Sequence, residues 1–323
     1  MSRLLLALVI LLQDPAPRPE DPASAVHPRK FGTPGGIGVS RGWYVWHGWN
    51  PETWQAEVSN EGNGEKFSVR VLPWATTYRH LAYGAHPADL LPGERVNMFF
   101  NPEGAVKRAY LVHYQDEIGQ MKGHNHAWQV EEVAPGGRGF TARVMHGDKV
   151  FDPKLGSFEL DAKCQVWRNG KKADEAGLAK DERLYLTWCH EGERRVVKTL
   201  ADAASLDAIM AEGKKRVQER ISREGMAGFI EEVADGKARL LIFSTWWAQA
   251  AAIAKGQTLT LKASDAAYRA AGDGVEVRVE SRKNLGAYGS GPSEVLLDGV
   301  TEKNSELLQG WKGGNVIRVF VRE

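Results

Sequence analysis

Short runs of alternating apolar and polar residues cover most of the chain and constrain its fold more than any other feature. Successive side chains of a β-strand point to opposite faces, so this alternation is typical of strands with one buried face. Residues of the turn-forming types Gly, Asp, Asn and Pro separate the runs. Examples are KFSVRVLP (66–73), RVNMFF (95–100), RLYLTW (183–188), QTLTLKA (257–263) and VIRVFV (316–321). The sequence therefore predicts a mainly β protein.

Two short patterns recur along the chain and indicate an internal repeat. Segments 129–144 and 229–244 share Glu-Glu-Val-Ala and carry Gly136 and Gly236 at matching positions. A second pattern, a turn with Gly or Asp followed by a strand, occurs in LPGERVNMF, AKDERLYLT and AKGQTLTLK, and more weakly in residues 306–320. Self-similarity of this kind is typical of repeated structural units. We therefore expect three or four related β-modules, and a strand–turn–strand hairpin in both 129–144 and 229–244.

The order of these patterns resembles the small OB-like barrels found in exported bacterial proteins. The resemblance rests on a strand, a glycine turn and a second strand, followed by DLLPGERV (89–96) and a closing strand such as RAYLVHY (108–114). It implies tandem small antiparallel barrels of five or six short strands each. It implies no site residues, because the shared patterns are structural turns.

One segment has helical periodicity instead. The apolar residues of 205–222 fall on one stripe: Leu206, Ile209, Met210, Val217 and Ile221. Ser205 is a suitable N-cap and Gly225 a suitable C-terminal residue. This pattern predicts one amphipathic helix that connects two modules. The expected organisation is a signal peptide (1–25), a linker (26–40), a β-module with a tryptophan cluster (41–120), a second β-module (121–203), the connector helix (204–224), and a third β-module with a partial fourth (225–323).

The first residues are typical of an export signal. A positive start at Arg3 precedes the apolar run LLLALVILL (4–12). This run is too short for a bilayer span, which needs about 20 residues, but suits a signal-peptide core. Cleavage after Gln13 and cleavage near Ala23-Ser24-Ala25 are both open. We expect an exported protein of the periplasm or extracellular space, with no membrane span once the signal is removed.

Two cysteines, Cys164 and Cys189, would be free to pair in an oxidising compartment. Strand alternation argues against a disulfide. It places Cys164 with the inward residues of its strand and Cys189 on the outward face, unless a bulge intervenes. We therefore predict two free thiols, with Cys164 buried, and leave pairing as the alternative.

Four tryptophans lie within the segment RGWYVWHGWNPETW: Trp43, Trp46, Trp49 and Trp54. Alternation places Trp43 and Trp46 on opposite faces of a strand, so one core cannot take all four rings. Asn50-Pro51 predicts a turn between Trp49 and Trp54. Packing in a core or between modules is one interpretation, and a surface for a partner or for a stacking ligand such as a glycan is the other.

A second candidate site is QMKGHNHAW (120–128). On one strand, His124 and His126 would share a face about 6.6 Å apart. That spacing suits two ligands of one Zn or Cu ion, with Met121 as a soft third ligand for copper. The alternative interpretation is that these histidines lie at a barrel rim or in a loop and bind no metal. No other cofactor is indicated.

Charge and motif content favour binding over catalysis. Lys and Arg total 42 against 41 Asp and Glu, so the chain lacks the basic excess typical of nucleic-acid-binding proteins. The sequence contains no nucleophile elbow, zinc-protease helix motif or P-loop. We expect a non-catalytic binding or structural protein whose partner is a glycan or an envelope protein. There are two specific alternatives: a carbohydrate-binding protein that uses the tryptophans, and a Cu- or Zn-binding protein or metalloenzyme that uses His124 and His126.

Overall fold

The computed structural model describes residues 40–71, 75, 77–100, 107–109, 114–243, 246–265, 268–285, 293–310 and 316–322. The expected signal peptide and almost all of the linker lie outside these residues. Within them, no helix combines the length and apolar composition needed to cross a bilayer. The fold is mainly β, as the alternation predicted.

The N-terminal unit (residues 40–123) is an eight-stranded sheet followed by a short helix. Its elements are β1 (Ser40–Asn50), β2 (Gln55–Asn60), β3 (Lys66–Val71), β4 (Thr77–Arg79), β5 (Ala82–Tyr83), β6 (Arg95–Phe100), β7 (Lys107–Ala109), β8 (Tyr114–Asp116) and α1 (Glu117–Gly123). The strand order is β5-β4-β8-β6-β1-β2-β3-β7. The β3–β7 and β4–β8 pairs are parallel, and the other pairs are antiparallel.

The middle unit (residues 126–205) is a ring of five strands with a short sixth strand beside it. Its strands are β9 (His126–Val133), β10 (Gly139–His146), β11 (Lys149–Arg168), β12 (Lys171–Ala173), β13 (Arg183–Glu191) and β14 (Arg194–Asp202). The sheet order is β10-β9-β13-β14-β11-β12, and β10 also pairs with β11. That extra pairing closes the ring, because the long β11 contacts β10 along its first half and β14, in parallel, along its second half.

The C-terminal barrel (residues 226–322) follows a long helix, α2 (Leu206–Glu224). Its elements are β15 (Met226–Ala234), β16 (Lys237–Ile242), α3 (Trp247–Ala250), β17 (Thr258–Ser264), β18 (Ala270–Asn284), β19 (Ser293–Asp298), α4 (Glu302–Gly310) and β20 (Val316–Val321). The described strands close in the order β15-β16-β19-β18-β17-β20, with every pair antiparallel.

The N-terminal and middle units share one strand arrangement, and the C-terminal barrel has another. In the first two units, consecutive strands β1-β2-β3 and β9-β10-β11 are followed by a parallel partner of the third strand, β7 or β14. The strand after the recurrent turn, β6 or β13, pairs with the first strand. The C-terminal barrel has no such parallel pair among its described strands. Its last strand, β20, closes that barrel, so residues 306–320 do not begin a separate fourth module.

Both segments expected to be hairpins have that structure. Residues 129–144 belong to β9 and β10, and residues 229–243 belong to β15 and β16. Gly136 and Gly236 both have a positive φ, +88° and +72°, in the connecting turns. This conformation is easily reached by glycine and explains why both turns carry it.

The predicted connector helix is α2, with one difference at its start. Leu206, Ile209, Val217 and Ile221 are buried on one stripe, and Gly225 ends the helix with φ +72°. Ser205 makes no cap bond with its side chain. Instead Asp202 accepts from the Ser205 amide at 2.9 Å, and Ser205 Oγ accepts from the Gly170 amide. The predicted boundary at 120/121 falls inside α1, whose Ile118 and Met121 pack in the core of the middle unit.

Both cysteines are free thiols, as alternation predicted, but Cys164 is less buried than expected and Cys189 is covered although it lies on the outer face. Cys189 is fully buried and Cys164 is only half-buried. Trp188 points into the middle core, so Cys189 does face away from it. The turn before β6 covers that outer face: Glu94 bridges to Cys189, and the His190 amide donates to the Gly93 carbonyl at 2.7 Å.

Candidate functional site

The four clustered tryptophans separate into three environments. Trp46 is fully buried in the core of the N-terminal unit beside Tyr44, as alternation predicted. Trp43, on the other face of β1, lies under the Arg95 guanidinium, 3.5 Å from the ring centre. Trp49 and Trp54 flank the β1–β2 turn and contact each other edge to face, with ring centres 5.3 Å apart. None of the four is exposed, and the rings do not form one continuous surface: Trp46 is buried and the other three are half-buried.

A bulge in β1 decides the position of Trp49. The β1–β2 register shifts between Trp46 and Gly48, which breaks the alternation that would have placed Trp49 on the Trp43 face. Trp49 instead packs at the edge of the N-terminal core. After the turn, Trp54 has φ +53°, a left-handed conformation that is uncommon for a bulky residue. The backbone thus holds both rings beside the C-terminal barrel.

These two rings form one wall of a cavity of about 410 Å³, here called the aromatic cavity. His86 contacts both rings, at 4.9 Å from Trp49 and 5.6 Å from Trp54, and Tyr268 contacts Trp54 at 5.1 Å. Trp246 lines the opposite side and is 7% exposed. The walls therefore come from the N-terminal unit, the end of α2 and the C-terminal barrel.

Close packing and an ion pair hold these parts together. A Cβ at Gly84 would lie 2.9 Å from both Trp246 and Val217 of α2, so glycine permits this approach. At the rim, the Arg269 guanidinium donates to both oxygens of Glu52, at 2.9 and 3.2 Å. This fork joins the β1–β2 turn to the C-terminal barrel, although both side chains are exposed.

Arginine side chains supply most of the polar groups of the aromatic cavity. Arg220 donates through Nη2 to Asp89, while its buried Nη1 has no partner among the described residues. Arg318 donates to the carbonyl oxygens of Glu224 and Gly225 at the end of α2, where the helix dipole is negative. Burial lowers the pKa of Arg318 to about 10. The guanidinium therefore stays charged at neutral pH.

His86 is a neutral donor in this cavity. Its Nδ1 accepts from the Ala88 amide at 3.1 Å, which assigns the ring proton to Nε2. Burial, and then the charge of Arg220, lower the pKa of His86 to about 4. At neutral pH the cavity thus combines aromatic faces with N–H donors from His86, Arg220 and Trp246. The buried Trp246 Nε1 also has no partner among the described residues.

The histidines and methionine proposed as metal ligands are not arranged on one strand as the sequence predicted. His124 ends α1 and His126 begins β9, with Asn125 at φ +56° between them, so they do not lie on one strand as expected. Their ring centres are 6.0 Å apart. His126 instead stacks on Phe151 at 4.2 Å, and Met121 is buried in the middle core. Within the described part of the chain, no three His, Cys, Asp or Glu residues are arranged to hold a metal ion.

A buried polar cluster at the junction of the first two units was not predicted. Asp116 Oδ2 lies 3.5 Å from His80 Nε2 and accepts from the His80 amide at 3.1 Å, and Thr187 of β13 lies 3.4 Å from both side chains. Burial raises the pKa of Asp116 to about 6 and lowers that of His80 well below its ordinary value. All three residues are sealed from solvent, which suits a structural role.

No protein-family model, curated protein or solved structure matches the chain.

Sequence patterns found part of the aromatic cavity. The tryptophan density pointed to Trp49 and Trp54, and the Asn-Pro turn between them was predicted. His86, Arg220, Tyr268 and Arg318 carried no local signal. Their role depends on contacts between residues that lie more than 200 positions apart, such as Glu52 and Arg269.

Proposed function

We propose that this chain is a non-catalytic carbohydrate-binding protein and that the aromatic cavity is its site. The observation that carries the proposal is the arrangement of Trp49, Trp54, His86 and Tyr268 around one concave space. Small-ligand sites are typically concave and mostly apolar, with a few convergent polar groups. The cavity volume of about 410 Å³ lies toward the lower end of the range for small-molecule pockets and suits one or two sugar rings.

The polar groups favour a sugar that carries an acidic group. The unpartnered Nη1 of Arg220, the Nε2 of His86 and the Nε1 of Trp246 are all donors. Arg318 adds a positive charge balanced by backbone carbonyls, without a carboxylate hydrogen-bonded to it among the described residues. A guanidinium pairs well with carboxylate, phosphate or sulfate oxygens. A uronic acid or a phosphorylated sugar supplies such oxygens next to a ring that stacks on tryptophan.

The proposal includes two further parts: that the chain contains OB-like modules, and that it is exported. We infer that the N-terminal and middle units are two OB-like modules. Their shared strand arrangement, with one parallel pair after three consecutive antiparallel strands, supports this, and OB-like barrels often bind saccharides. The apolar run at residues 4–12 supports export to the periplasm or beyond. Mass spectrometry of protein secreted by an expressing cell would show whether the N-terminal segment has been removed.

Titration of tryptophan fluorescence with paired oligosaccharides tests the proposal. One member of each pair is neutral and the other carries a uronic acid at the same position. We expect the acidic member to bind more tightly. Trp49→Ala should weaken its binding about tenfold or more, as expected for loss of an aromatic anchor.

Trp43→Ala is the matched control, since that ring lies in the same strand but outside the aromatic cavity. Its affinity should equal that of the wild type. Circular dichroism melting curves establish that both variants are folded. Failure of every oligosaccharide to bind, or equal losses in the two variants, would reject the proposed site.

A further inference from the structure

A second and larger cavity, of about 660 Å³, lies between the N-terminal and middle units. It is here called the junction cavity. Trp43 and Arg95 line it from the N-terminal unit, Met121 from α1, and Trp128, Trp188 and Arg195 from the middle unit. It shares no lining residue with the aromatic cavity.

Arg195 is a cation without a carboxylate partner among the described residues. Its guanidinium lies 5.1 Å from the ring centre of Trp188 and 5.7 Å from that of Phe158, so two aromatic faces position it. Gly156 makes room for it: a Cβ there would lie 2.8 Å from both Arg195 Nη1 and the Phe158 ring. Gly156 has no positive φ, so space rather than backbone conformation accounts for this glycine.

On the N-terminal side of the junction cavity, Arg95 pairs with two carboxylates, so Arg95, Glu61 and Glu117 together carry an excess negative charge. Arg95 donates to Glu61 at 2.8 Å and also to Glu117, and His190 lies 3.4 Å from Glu61. The pKa of Glu61 is lowered overall: burial raises it, but the hydrogen bond from His190 and the charge of Arg95 outweigh that effect. This carboxyl is therefore ionised at neutral pH. Arg195, by contrast, contacts aromatic rings and forms no direct ion pair with a carboxylate among the described residues.

Two indoles add hydrogen-bond donors. Trp128 and Trp188 line the cavity, and the buried Nε1 atom of each has no acceptor among the described residues. Trp188 is 2% exposed, which makes an unsatisfied donor costly there. A small displacement of either ring on binding would allow an acceptor oxygen to reach it.

Apolar side chains form the rim beside these donors. Phe151 and Leu155 of β11 line the cavity and are 60% and 51% exposed, and the adjacent Val150 is 46% exposed. These three account for half of the six large apolar side chains that are exposed in the described chain. Such a local concentration of exposed apolar surface is typical of binding sites.

We propose that the junction cavity binds an amphipathic organic anion, with its acidic group on Arg195 and its apolar body against Phe151 and Leu155. The guanidinium without an ion pair favours the acidic group, and the exposed apolar rim favours the apolar body. The site does not depend on carbohydrate binding in the aromatic cavity.

Isothermal titration with three probes tests the ligand class on the whole chain. Octanoate has both features, acetate has only the anionic group, and octanol has only the apolar body. We expect octanoate to bind at least tenfold more tightly than either of the others. Equal affinity for octanol would reject the role of the anion, and equal affinity for acetate would reject the role of the rim.

Arg195→Gln should weaken octanoate binding tenfold or more, in line with loss of a charge-assisted hydrogen bond. Arg194→Gln is the matched control: Arg194 is the adjacent residue, is 57% exposed, and pairs with Glu159 and Glu191 outside the cavity. Its affinity for octanoate should not change. Equal affinities of Arg195→Gln and the wild type would overturn the proposal.

Phe151→Ser provides a second variant that carries little folding risk, because this ring is mostly exposed. It should weaken octanoate binding and leave acetate binding unchanged. Trp49→Ala should bind octanoate as the wild type does, which separates this site from the aromatic cavity. Full octanoate affinity in Phe151→Ser would contradict the proposed position of the apolar body.

Discussion

Two buried titratable residues, His86 and Asp116, have pKa values shifted in opposite directions: that of His86 is lowered and that of Asp116 is raised. His86 is held neutral beside Arg220, Arg318, Asp89 and Glu224. Burial raises the pKa of Asp116, so its carboxyl stays protonated to a higher pH than an exposed one. Arg79 and the amides of Gly119 and His80 stabilise its charge but do not offset this effect. Their contributions to stability therefore change in opposite directions with pH.

The His86 contribution is lost as the pH falls. Because the folded pKa of about 4 lies below the unfolded value of 6.5, stability is fully present above pH 6.5 and declines toward pH 4. The stability advantage of the wild type over His86→Gln should shrink by about 3 kcal/mol over this interval. Urea denaturation of both proteins at pH 7, 5.5 and 4 measures it. If the difference in stability between the wild type and His86→Gln stayed constant with pH, the pKa of His86 would not be lowered by burial.

Asp116 should give the reverse result. Its folded pKa of about 6 lies above the unfolded value of 3.8, so its contribution is fully present below pH 3.8 and is lost as the pH rises through 6. As the pH falls from 7 to 4, the stability of the wild type relative to Asp116→Asn, measured as the difference in free energy of unfolding, should rise by about 3 kcal/mol. The same urea series tests this, and a difference that falls would contradict it.

The cysteines give a further test at this scale. Burial raises the pKa values of both Cys164 and Cys189 to about 12, which suppresses their reactive thiolates. Thiol titration without reductant should find two thiols in urea and almost none on a short time scale in the native protein. Zero thiols in urea would instead indicate a disulfide.

At the scale of elements, Gly213 in the middle of α2 has a packing role. A Cβ there would lie 2.8 Å from the Cβ of Ala82 in β5. Alanine normally stabilises a helix by about 1 kcal/mol relative to glycine. Here overpacking, which typically costs about 1–3 kcal/mol, should outweigh that gain.

Gly213→Ala should therefore lower the free energy of unfolding. The exchange Gly213→Ala with Ala82→Gly removes the clash and should recover part of the loss. Lys214→Ala, one residue along on the exposed side of α2, is the control and should change stability by about 0.5 kcal/mol or less. Stabilisation by Gly213→Ala alone would show that the two elements can move apart.

Elements with strong local patterns were predictable, and contacts between them were not. The β9–β10 and β15–β16 hairpins follow from alternation and a central glycine, and α2 follows from its apolar stripe. The bulge that redirects Trp49 leaves no clear mark in the sequence. Cys189 was assigned correctly to the outer face of β13, but alternation cannot show that the turn before β6 covers that face.

At the scale of the whole molecule, a buried ion pair within the N-terminal unit lies where that unit meets the middle unit. Glu94 is fully buried, accepts from Arg79 at 2.9 and 3.2 Å and from the Leu91 amide at 2.8 Å, and bridges to Cys189 of β13. Glu94→Ala would leave the Arg79 charge buried without its partner. We expect a loss of about 3–5 kcal/mol.

Circular dichroism and tryptophan fluorescence in urea should report this loss as one shared transition. Glu159→Ala removes an exposed pair with Arg194 and should cost about 1 kcal/mol or less. Two separated transitions in the Glu94 variant would show that the units unfold independently.

The composition of the aromatic cavity has a consequence for when the proposed site can form during synthesis. Its walls include Trp49 from the first strand and Arg318 from the last described one, and β20 must pair with both β15 and β17 before Arg318 reaches its place. During synthesis from the N-terminus, the tryptophans therefore emerge long before the site exists. A chain that stops short of β20 would carry the aromatic wall but would lack Arg318, one of the donors of the proposed site. The proposed binding would therefore have to await the synthesis and pairing of β20.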